Sequence, residues 1–228
     1  MKNEKGYILI SSLLLFMLVM LISITLINIC ITNYEIQDIY VKSKVAFYKS
    51  EGGLDTAYLE VVKHVELSIE RANNKVEDFL KNEYDKFLNE EKNKEMQGID
   101  SEYIDLIEDE FGIHFVINKE KIDEKLNLIF KEEYRKCFSR IDRHCILQKN
   151  LRNLDMENIK LKALDERFNF KGDKPCFEII ALYTKDKMTN ELVQGYYIDV
   201  PNKDDIYNEN NIGKLIHLEK WFRKDGRE

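Results

Sequence analysis

The chain has 228 residues, of which 34% are charged and 44% hydrophobic, and its formal net charge is −7. Basic residues are interspersed with acidic ones and form no block, so we expect no contact with nucleic acid, which requires a basic surface. Only two prolines and nine glycines occur, which excludes a flexible Pro/Gly linker. About 195 residues beyond the apolar N-terminus suffice for one compact domain with a stalk, or for two small units.

The N-terminus consists of a polar leader, residues 1–6 (MKNEKG), and an uncharged segment, Tyr7–Thr32. A secretory signal has an apolar core of about 7–15 residues and a small-x-small cleavage site. The segment here is much longer, and its exit, SITLINICITNYE, contains no such site. As a helix it is about 39 Å long, enough to cross a hydrocarbon core of ~30 Å. The sequence therefore predicts a membrane-spanning helix that signal peptidase leaves in place.

The charges that flank this segment predict its orientation. Lys2 and Lys5 precede it, whereas Glu35 and Asp38 follow it. Basic residues are retained on the cytoplasmic side. We expect a single-pass protein of the cytoplasmic membrane with its N-terminus inside and its C-terminal bulk outside.

Residues 33–62 continue the helix in amphipathic form. Apolar residues recur every three or four positions along one seam, with serines at the remaining seam positions: Ile36, Tyr40, Ser43, Phe47, Ser50, Leu54, Ala57 and Val61. This spacing is typical of one helix face. The sequence predicts one helix from residue 7 to about residue 62. Gly52 and Gly53 are its weak point, at roughly 1 kcal/mol each relative to alanine, so a kink there is the alternative.

Residues 63–150 are predicted to be a helical region. Apolar residues recur from Val65 to about Met96, with Asn73-Asn74 as a possible break and Gly98 as the end. Residues 101–111 and about 119–148 are also predicted to be helical.

Residues 151–228 change in character and predict an antiparallel β region. Two runs rich in β-branched and aromatic residues, Phe177–Thr184 and Leu192–Val200, are joined by the polar segment KDKMTN, which indicates a hairpin. IKLKAL at 159–164 and the terminal KLIHLEKWFRK supply further strands. The predicted fold class is α+β: a long N-terminal helix, a helical middle region and a C-terminal antiparallel sheet of about three or four strands.

No catalytic constellation stands out, and we expect neither an enzyme nor a cofactor. The standard phosphate-binding, nucleophile-elbow and zinc-protease motifs do not occur in the sequence. Cys137, His144 and Cys145, with His114, match no standard zinc spacing, so we expect no metal site. His64 and His217 are interpreted as surface or packing residues. An adhesive patch of Tyr196, Tyr197, Trp221 and Phe222 is the alternative to their burial in a sheet face.

The cysteines do not form a disulfide framework. Cys30 lies in the apolar segment and is interpreted as a small hydrophobic residue. Cys137 and Cys145 are eight residues apart in a predicted helix, about 12 Å along its axis, whereas a disulfide requires Cα atoms within roughly 7 Å. We expect these two not to pair; Cys176 is within reach of either, and a fully reduced set is the favoured state.

The first 60 residues resemble the N-terminal region of type IV pilins and pseudopilins. The leader and helix KGYILISSLLLF are similar to a prepilin signal, and VAFYKSEGGLDTAYLEV resembles the pattern AFxxAEAGLxxA of PilX-like minor pilins. The matching residues are Ala46, Phe47, Glu51, Gly53, Leu54 and Ala57. The resemblance implies cleavage by prepilin peptidase after Gly6 and N-methylation of the new N-terminus, Tyr7. It also implies contacts with membrane lipid, with an assembly-platform membrane protein and with other pilins through the N-terminal helix, leading to a cell-surface filament.

One position departs from the pattern of major pilins. They carry glutamate at the fifth mature residue, where this chain has Ser11. A carboxylate there neutralises the N-terminal ammonium of a neighbouring subunit, which is otherwise a buried unpaired charge. We therefore expect a minor pilin or pseudopilin rather than a bulk filament subunit. The alternative is a single-pass membrane-anchored extracytoplasmic binding or sensory protein.

Overall fold

A single helix, α1, runs from Lys2 to Lys92. The structure is a computed structural model that describes residues 2–92, 103–109, 112–139, 146–154, 156–164, 169–186, 188–204 and 212–223. At 1.5 Å per residue, α1 is about 140 Å long. It continues through Gly52-Gly53 and through Asn73-Asn74. The predicted helix over residues 7–62 is confirmed, and the possible break at the two asparagines does not occur.

The surroundings of α1 change along its length. Every residue from Tyr7 to Gln37 is exposed. From Ala46 onwards one stripe of the helix is buried, at intervals of three or four residues: Ala46, Ser50, Leu54, Ala57, Val61, Val65, Ile69, Ala72 and Val76. Much of the described chain that follows this helix packs against the stripe and forms the head of the molecule.

A β-hairpin follows α1 where a helix was predicted. Strand β1, Ile104–Asp109, pairs with β2, Gly112–Ile117, in antiparallel register from Ile104 opposite Ile117 to Asp109 opposite Gly112. The helical prediction over residues 101–111 is wrong, and the helical region 63–150 therefore contains a hairpin. The second strand, GIHFVI, has apolar residues at every second position, which is the strand period. The acidic residues of the first strand favoured the helical prediction. The strand forms because β2 satisfies its backbone hydrogen-bonding groups, and local sequence does not show this pairing.

Two helices return the chain along α1. Helix α2 spans Lys119–Ser139 and α3 spans Ile146–Asn153, in place of the single helix predicted for about 119–148. The buried residues of α2 fall four positions apart: Leu126, Phe130, Tyr134 and Phe138. The Tyr103 ring, just before the hairpin, lies 6.1 Å from Phe79 of α1, and the Phe138 ring, near the end of α2, lies 5.0 Å from the His64 ring. Asn118, just before α2, donates its N–H to the Tyr103 carbonyl, so α2 begins near Phe79 and ends near His64. Helix α2 therefore runs antiparallel to α1.

The C-terminal part is an antiparallel sheet, as predicted. Its strands are β3 (Ile159–Ala163), β4 (Asn169–Lys171), β5 (Lys174–Lys185), β6 (Met188–Ile198), β7 (Ile216–Leu218) and β8 (Phe222–Arg223). The main path runs β3-β5-β6-β7, while β4 pairs with β5 and β8 with β6. A short helix, α4 (Ile212–Leu215), precedes β7.

The β5–β6 hairpin is longer and tighter than its sequence suggested. Lys185 pairs with Met188, so two residues make the turn rather than the polar segment KDKMTN. Asp186 has φ 49°, a left-handed conformation that aspartate tolerates better than most residues and that tight hairpin turns require. The turn places Ala181 opposite Leu192 and Tyr183 opposite Asn190, on the sheet face that meets α1.

Candidate functional site

Four of the six motif residues lie on the seam along which α1 packs on the sheet: Ala46, Gly53, Leu54 and Ala57. Ala46, Leu54 and Ala57 are buried in the core cluster together with sheet residues. Their spacing of eight and three positions places them on one helix face. We call Ala46, Ser50, Gly53, Leu54 and Ala57 the docking seam. The motif recognised in the sequence therefore occurs where the helix is attached to the head.

Gly53 permits close approach of the helix to the sheet. A Cβ at this position would lie 3.0 Å from Ile159 Cγ2, 3.3 Å from Ala181 Cβ and 3.5 Å from Leu161 Cδ2. Its neighbour Gly52 points away from the sheet, and a Cβ there would meet nothing within 4 Å. The two glycines thus have different roles, and only Gly53 is needed for packing.

Ser50 and Asn190 supply a polar link inside this otherwise apolar seam. Asn190 Nδ2 donates to Ser50 Oγ at 2.9 Å, and Ser50 Oγ donates to the Ala46 carbonyl at 3.0 Å. Both side chains are buried, and a buried hydroxyl or amide without a partner costs about 1–3 kcal/mol. The hydrogen bond between Asn190 and Ser50 therefore favours one position of α1 along β6. Sequence reasoning placed Ser50 on the seam but missed Asn190, which lies 140 residues away.

The two remaining motif residues lie at the side of the seam. Phe47 is half-buried, and its ring lies 5.3 Å from Trp221 and 5.6 Å from Tyr48. Glu51 is half-buried as well. Of the four aromatic residues for which burial in the sheet was favoured, Tyr196 is buried and Tyr197 half-buried, whereas Trp221 and Phe222 are 45% and 48% exposed. Burial was therefore the wrong expectation for the last two, because they follow β7 at the rim of the sheet.

The N-terminal part of α1 exposes its apolar residues on all sides. Tyr7 is 79% exposed, and Gly6 and Ser11 lie in the same uninterrupted helix. The hydroxyls of this stretch bond to the helix itself: Ser23 Oγ donates to the Val19 carbonyl at 2.8 Å, and Thr25 Oγ1 to the Ile22 carbonyl at 2.8 Å. Such bonds satisfy polar groups where water is absent.

His64 lies at the interface between α1 and α2. Its Nε2 is 3.3 Å from the Cys137 carbonyl, whereas its buried Nδ1 has no hydrogen-bond partner in the described part of the chain. A neutral ring with the proton on Nε2 fits this arrangement. Burial lowers the pKa of His64 to about 4, the hydrogen bond to Cys137 opposes the shift, and the positive charge of Arg71 adds to it. The interpretation as a packing residue is confirmed.

His217, by contrast, is exposed and takes part in a polar cluster around Asp199. Its Nε2 lies 2.8 Å from Asp199 Oδ2, and Lys174 Nζ lies 2.7 Å from Asp199 Oδ1. Burial raises the pKa of Asp199, but the hydrogen bonds from Lys174 and His217 outweigh it and hold this pKa below its usual value. The cluster joins the start of β5 to the end of β6 and to β7.

The cysteines and the zinc alternative are described only in part. Cys30, Cys137 and Cys176 are free thiols, while Cys145 and His144 lie outside the described residues, as does the side chain of His114. Among the described residues there is no group of three or more potential metal ligands.

From Tyr7 onwards, helix α1 is long and apolar enough to cross a membrane, by length and composition alone. The exposed apolar part of α1 continues in the same helix into the docking seam, where the helix packs on the head. No protein-family model matches the chain, and neither a curated protein nor a solved structure is significantly similar to it.

Proposed function

We propose that this chain is a minor pilin or pseudopilin, a structural subunit of a type IV pilus or a related secretion or DNA-uptake filament. The observation that supports it most directly is the exposed apolar stretch of α1, which continues without a break into the docking seam. A membrane anchor alone needs only about 20 apolar residues. A helix that must also pack in a filament benefits from rigidity between its apolar part and its head.

The proposed mechanism is assembly rather than catalysis. The chain is held in the cytoplasmic membrane with its head outside, cleaved after Gly6 by prepilin peptidase and methylated at Tyr7. An assembly-platform membrane protein then transfers it from lipid to a filament, where its helix packs against other pilin helices. In support, Tyr34, Val41 and Tyr48 recur every seven residues on the side of α1 away from the docking seam, and all three are exposed. Such a stripe is typical of a surface that another helix covers.

The alternative is a single-pass anchored binding or sensory protein that never leaves the bilayer. The head has a groove lined by Arg152, Lys160 and Lys162, for which the described ranges contain no ion-pair partner, and this feature favours a binding role. The two candidates differ at the N-terminus, because only a pilin loses residues 1–6.

The test is mass spectrometry of the mature N-terminus in the native host. We expect the parent chain to begin at methylated Tyr7, and Gly6→Leu to retain residues 1–6, because a bulky residue blocks the cleavage site. Tyr7→Phe is the matched control and should be cleaved normally. Identical N-termini in the parent and Gly6→Leu would contradict the proposal and favour the anchored protein.

A further inference from the structure

A groove of about 520 Å³ lies at the edge of the sheet, between β3, the end of α3 and the face of the sheet that points away from α1. Its floor is apolar and includes Ile180 and Leu182 of β5, with Leu154 and Met156 at one side. Volumes of about 300–1,000 Å³ with mostly apolar walls are typical of binding sites. No described residue of α1 lines the groove, although two of its lining residues, Ile159 and Leu161, also pack on Gly53 of the docking seam.

Positive charge lines one wall of the groove. Arg152, Lys160 and Lys162 are exposed lining residues, and no ion pair is found for them within the described ranges. Glu191 is the single carboxylate among the lining residues. The sheet register gives the order across the floor: Lys160 is opposite Leu182, which is opposite Glu191. The groove is therefore basic at the edge strand, apolar in the middle and acidic at its far side.

The edge strand also presents main-chain groups to this groove. Leu164 N bonds to the Glu178 carbonyl and Thr184 N to the Asn158 carbonyl. Since bonding directions alternate along an antiparallel strand, the main-chain groups of Ile159, Leu161 and Ala163 point away from β5. Leu161 lines the groove, and neither its N–H nor its C=O has a partner among the described residues.

The neighbours of Leu161 on this edge are already occupied. Ile159 N donates to the Met156 carbonyl, and Ala163 N donates to Gln148 Oε1 at 2.9 Å. Gln148 is buried, and its Nε2 has no partner in the described part of the chain. A buried amide donor without a partner is costly. This edge therefore cannot pair with a long added strand. Among its described residues, only Leu161 offers a main-chain N–H and C=O with which a short segment could pair.

We propose that the groove binds a short extended peptide segment of another protein, with carboxylates on the sheet face of Lys160 and Lys162 and the alternate, apolar side chains on the opposite face, beside Leu154 and Met156. Two main-chain hydrogen bonds to Leu161 set its position, as in other complexes in which a peptide pairs with a sheet edge. Charge complementarity selects an acidic segment, because the three lining cations have no ion pair within the described ranges and outnumber the single lining carboxylate. This inference does not depend on the filament proposal.

The position of the groove disfavours membrane lipid as its occupant. Gly53 packs on Ile159 and Leu161, two of the lining residues. It lies 21 residues beyond Thr32, the end of the apolar segment, which is about 32 Å along a straight helix. The groove therefore faces the aqueous phase above the bilayer.

The test measures binding of synthetic peptides to the full chain in nanodiscs by fluorescence anisotropy. The probe is a labelled peptide of about ten residues with alternating valine and glutamate, compared with one of valine and lysine and with decanoate as a competitor. We expect saturable binding of the acidic peptide, weakened about tenfold in Lys160→Glu/Lys162→Glu. Lys185→Glu/Lys220→Glu carries the same charge change at exposed sites outside the groove and should bind like the parent.

Backbone pairing has its own test. One peptide is N-methylated on its valines and another on its glutamates, and we expect one of the two to lose about tenfold in affinity, because one set of amides faces Leu161. The proposal is overturned if the basic peptide binds equally well, if the groove and control variants behave alike, or if neither methylated peptide is weakened. The proposal is also overturned if the acidic peptide does not bind, or if decanoate displaces it as well as the unlabelled acidic peptide does, which points to a lipid anion.

Discussion

Two adjacent glycines of α1 lie in opposite environments. Glycine in a helix costs about 1 kcal/mol of stability relative to alanine, so both residues destabilise α1 through their low helix propensity. At Gly53 the cost is offset by contact with Ile159 and Ala181, whereas Gly52 faces open space. The sequence pattern alone marked both as a single weak point.

Substitution by larger residues separates the roles of the two glycines. Gly52→Ala should raise the free energy of unfolding of the head by about 1 kcal/mol, through helix propensity alone. Gly53→Val should lower it by about 1–3 kcal/mol, because its side chain overpacks the seam. Thermal unfolding in detergent, followed by near-ultraviolet circular dichroism, measures both. Equal effects at the two positions would contradict the assigned roles.

His64 makes the stability of the head depend on pH. Its pKa is lowered from 6.5 in the unfolded chain to about 4 in the folded one, so the unfolded state binds more protons between these values. The free energy of unfolding is therefore unaffected by His64 above pH 6.5. It falls as the pH decreases towards 4, by about 3 kcal/mol in total.

A pair of histidine variants tests this dependence. We expect His64→Gln, which keeps a donor for the Cys137 carbonyl, to remove most of the acid-induced loss of unfolding free energy between pH 6.5 and 4. His217→Gln, at an exposed histidine, should leave that loss in place. Denaturant unfolding at a series of pH values gives the comparison, and indistinguishable pH profiles for the parent and His64→Gln would disprove the assignment.

At the scale of elements, α1 has an exposed part and a part that belongs to the head. The core stripe begins at Ala46, and the charged pair Lys42–Asp38 lies just before it, in water-exposed helix. Average helices are about 11–12 residues long and are stabilised largely by tertiary packing. The first half of α1 lacks such packing in the described chain, so a membrane or other helices must cover it.

Truncation tests the division of α1. Removal of residues 1–41 should leave a water-soluble head that unfolds cooperatively, with a melting temperature close to that of the full chain in detergent. Removal of residues 1–54 deletes Ala46, Ser50 and Leu54 from the core and should abolish cooperative unfolding. The measurements are size-exclusion chromatography and circular dichroism. A molten or aggregated 1–41 truncation would show that the exposed part supports the head.

At the scale of the whole molecule, the proposed pilin function predicts from Ser11 that the chain is a minor subunit rather than a major one. A filament of many copies would bury one N-terminal ammonium per subunit without a carboxylate beside it. Glu35 and Asp38 lie 24 and 27 residues further along α1, some 36–40 Å away, and therefore cannot serve within the same chain. Under the proposed function, a neighbouring glutamate-bearing pilin would supply the charge, or the subunit would occupy the filament tip.

The corresponding prediction concerns stoichiometry. The chain should be scarce in purified filaments and should form none by itself, and Ser11→Glu should enter filaments more abundantly than the parent. Quantitative mass spectrometry and immunogold labelling measure the amount and the position. Ser11→Ala is the control and should behave like the parent. Dense labelling along filaments from a strain without other pilins would disprove the idea.

The sequence by itself determined the elements whose signal is local. The uncharged run Tyr7–Thr32 and the three–four spacing after it predicted one long helix, because propensity and amphipathicity act over a few turns. The β-branched runs around residues 177–200 predicted the hairpin for the same reason. The motif residues Ala46 and Gly53 were also found in the sequence, although only as a family pattern.

Only the tertiary structure decided which surfaces meet. The sequence of β1 predicts a helix, and only its pairing with β2 makes it a strand. The sequence places Ser50 on the helix seam, but only the tertiary structure shows its hydrogen bond with Asn190. The groove likewise joins Arg152 of α3 to Leu161 of β3 and Leu182 of β5. These features depend on contacts between distant segments, whose partners satisfy backbone and side-chain groups that local sequence leaves open.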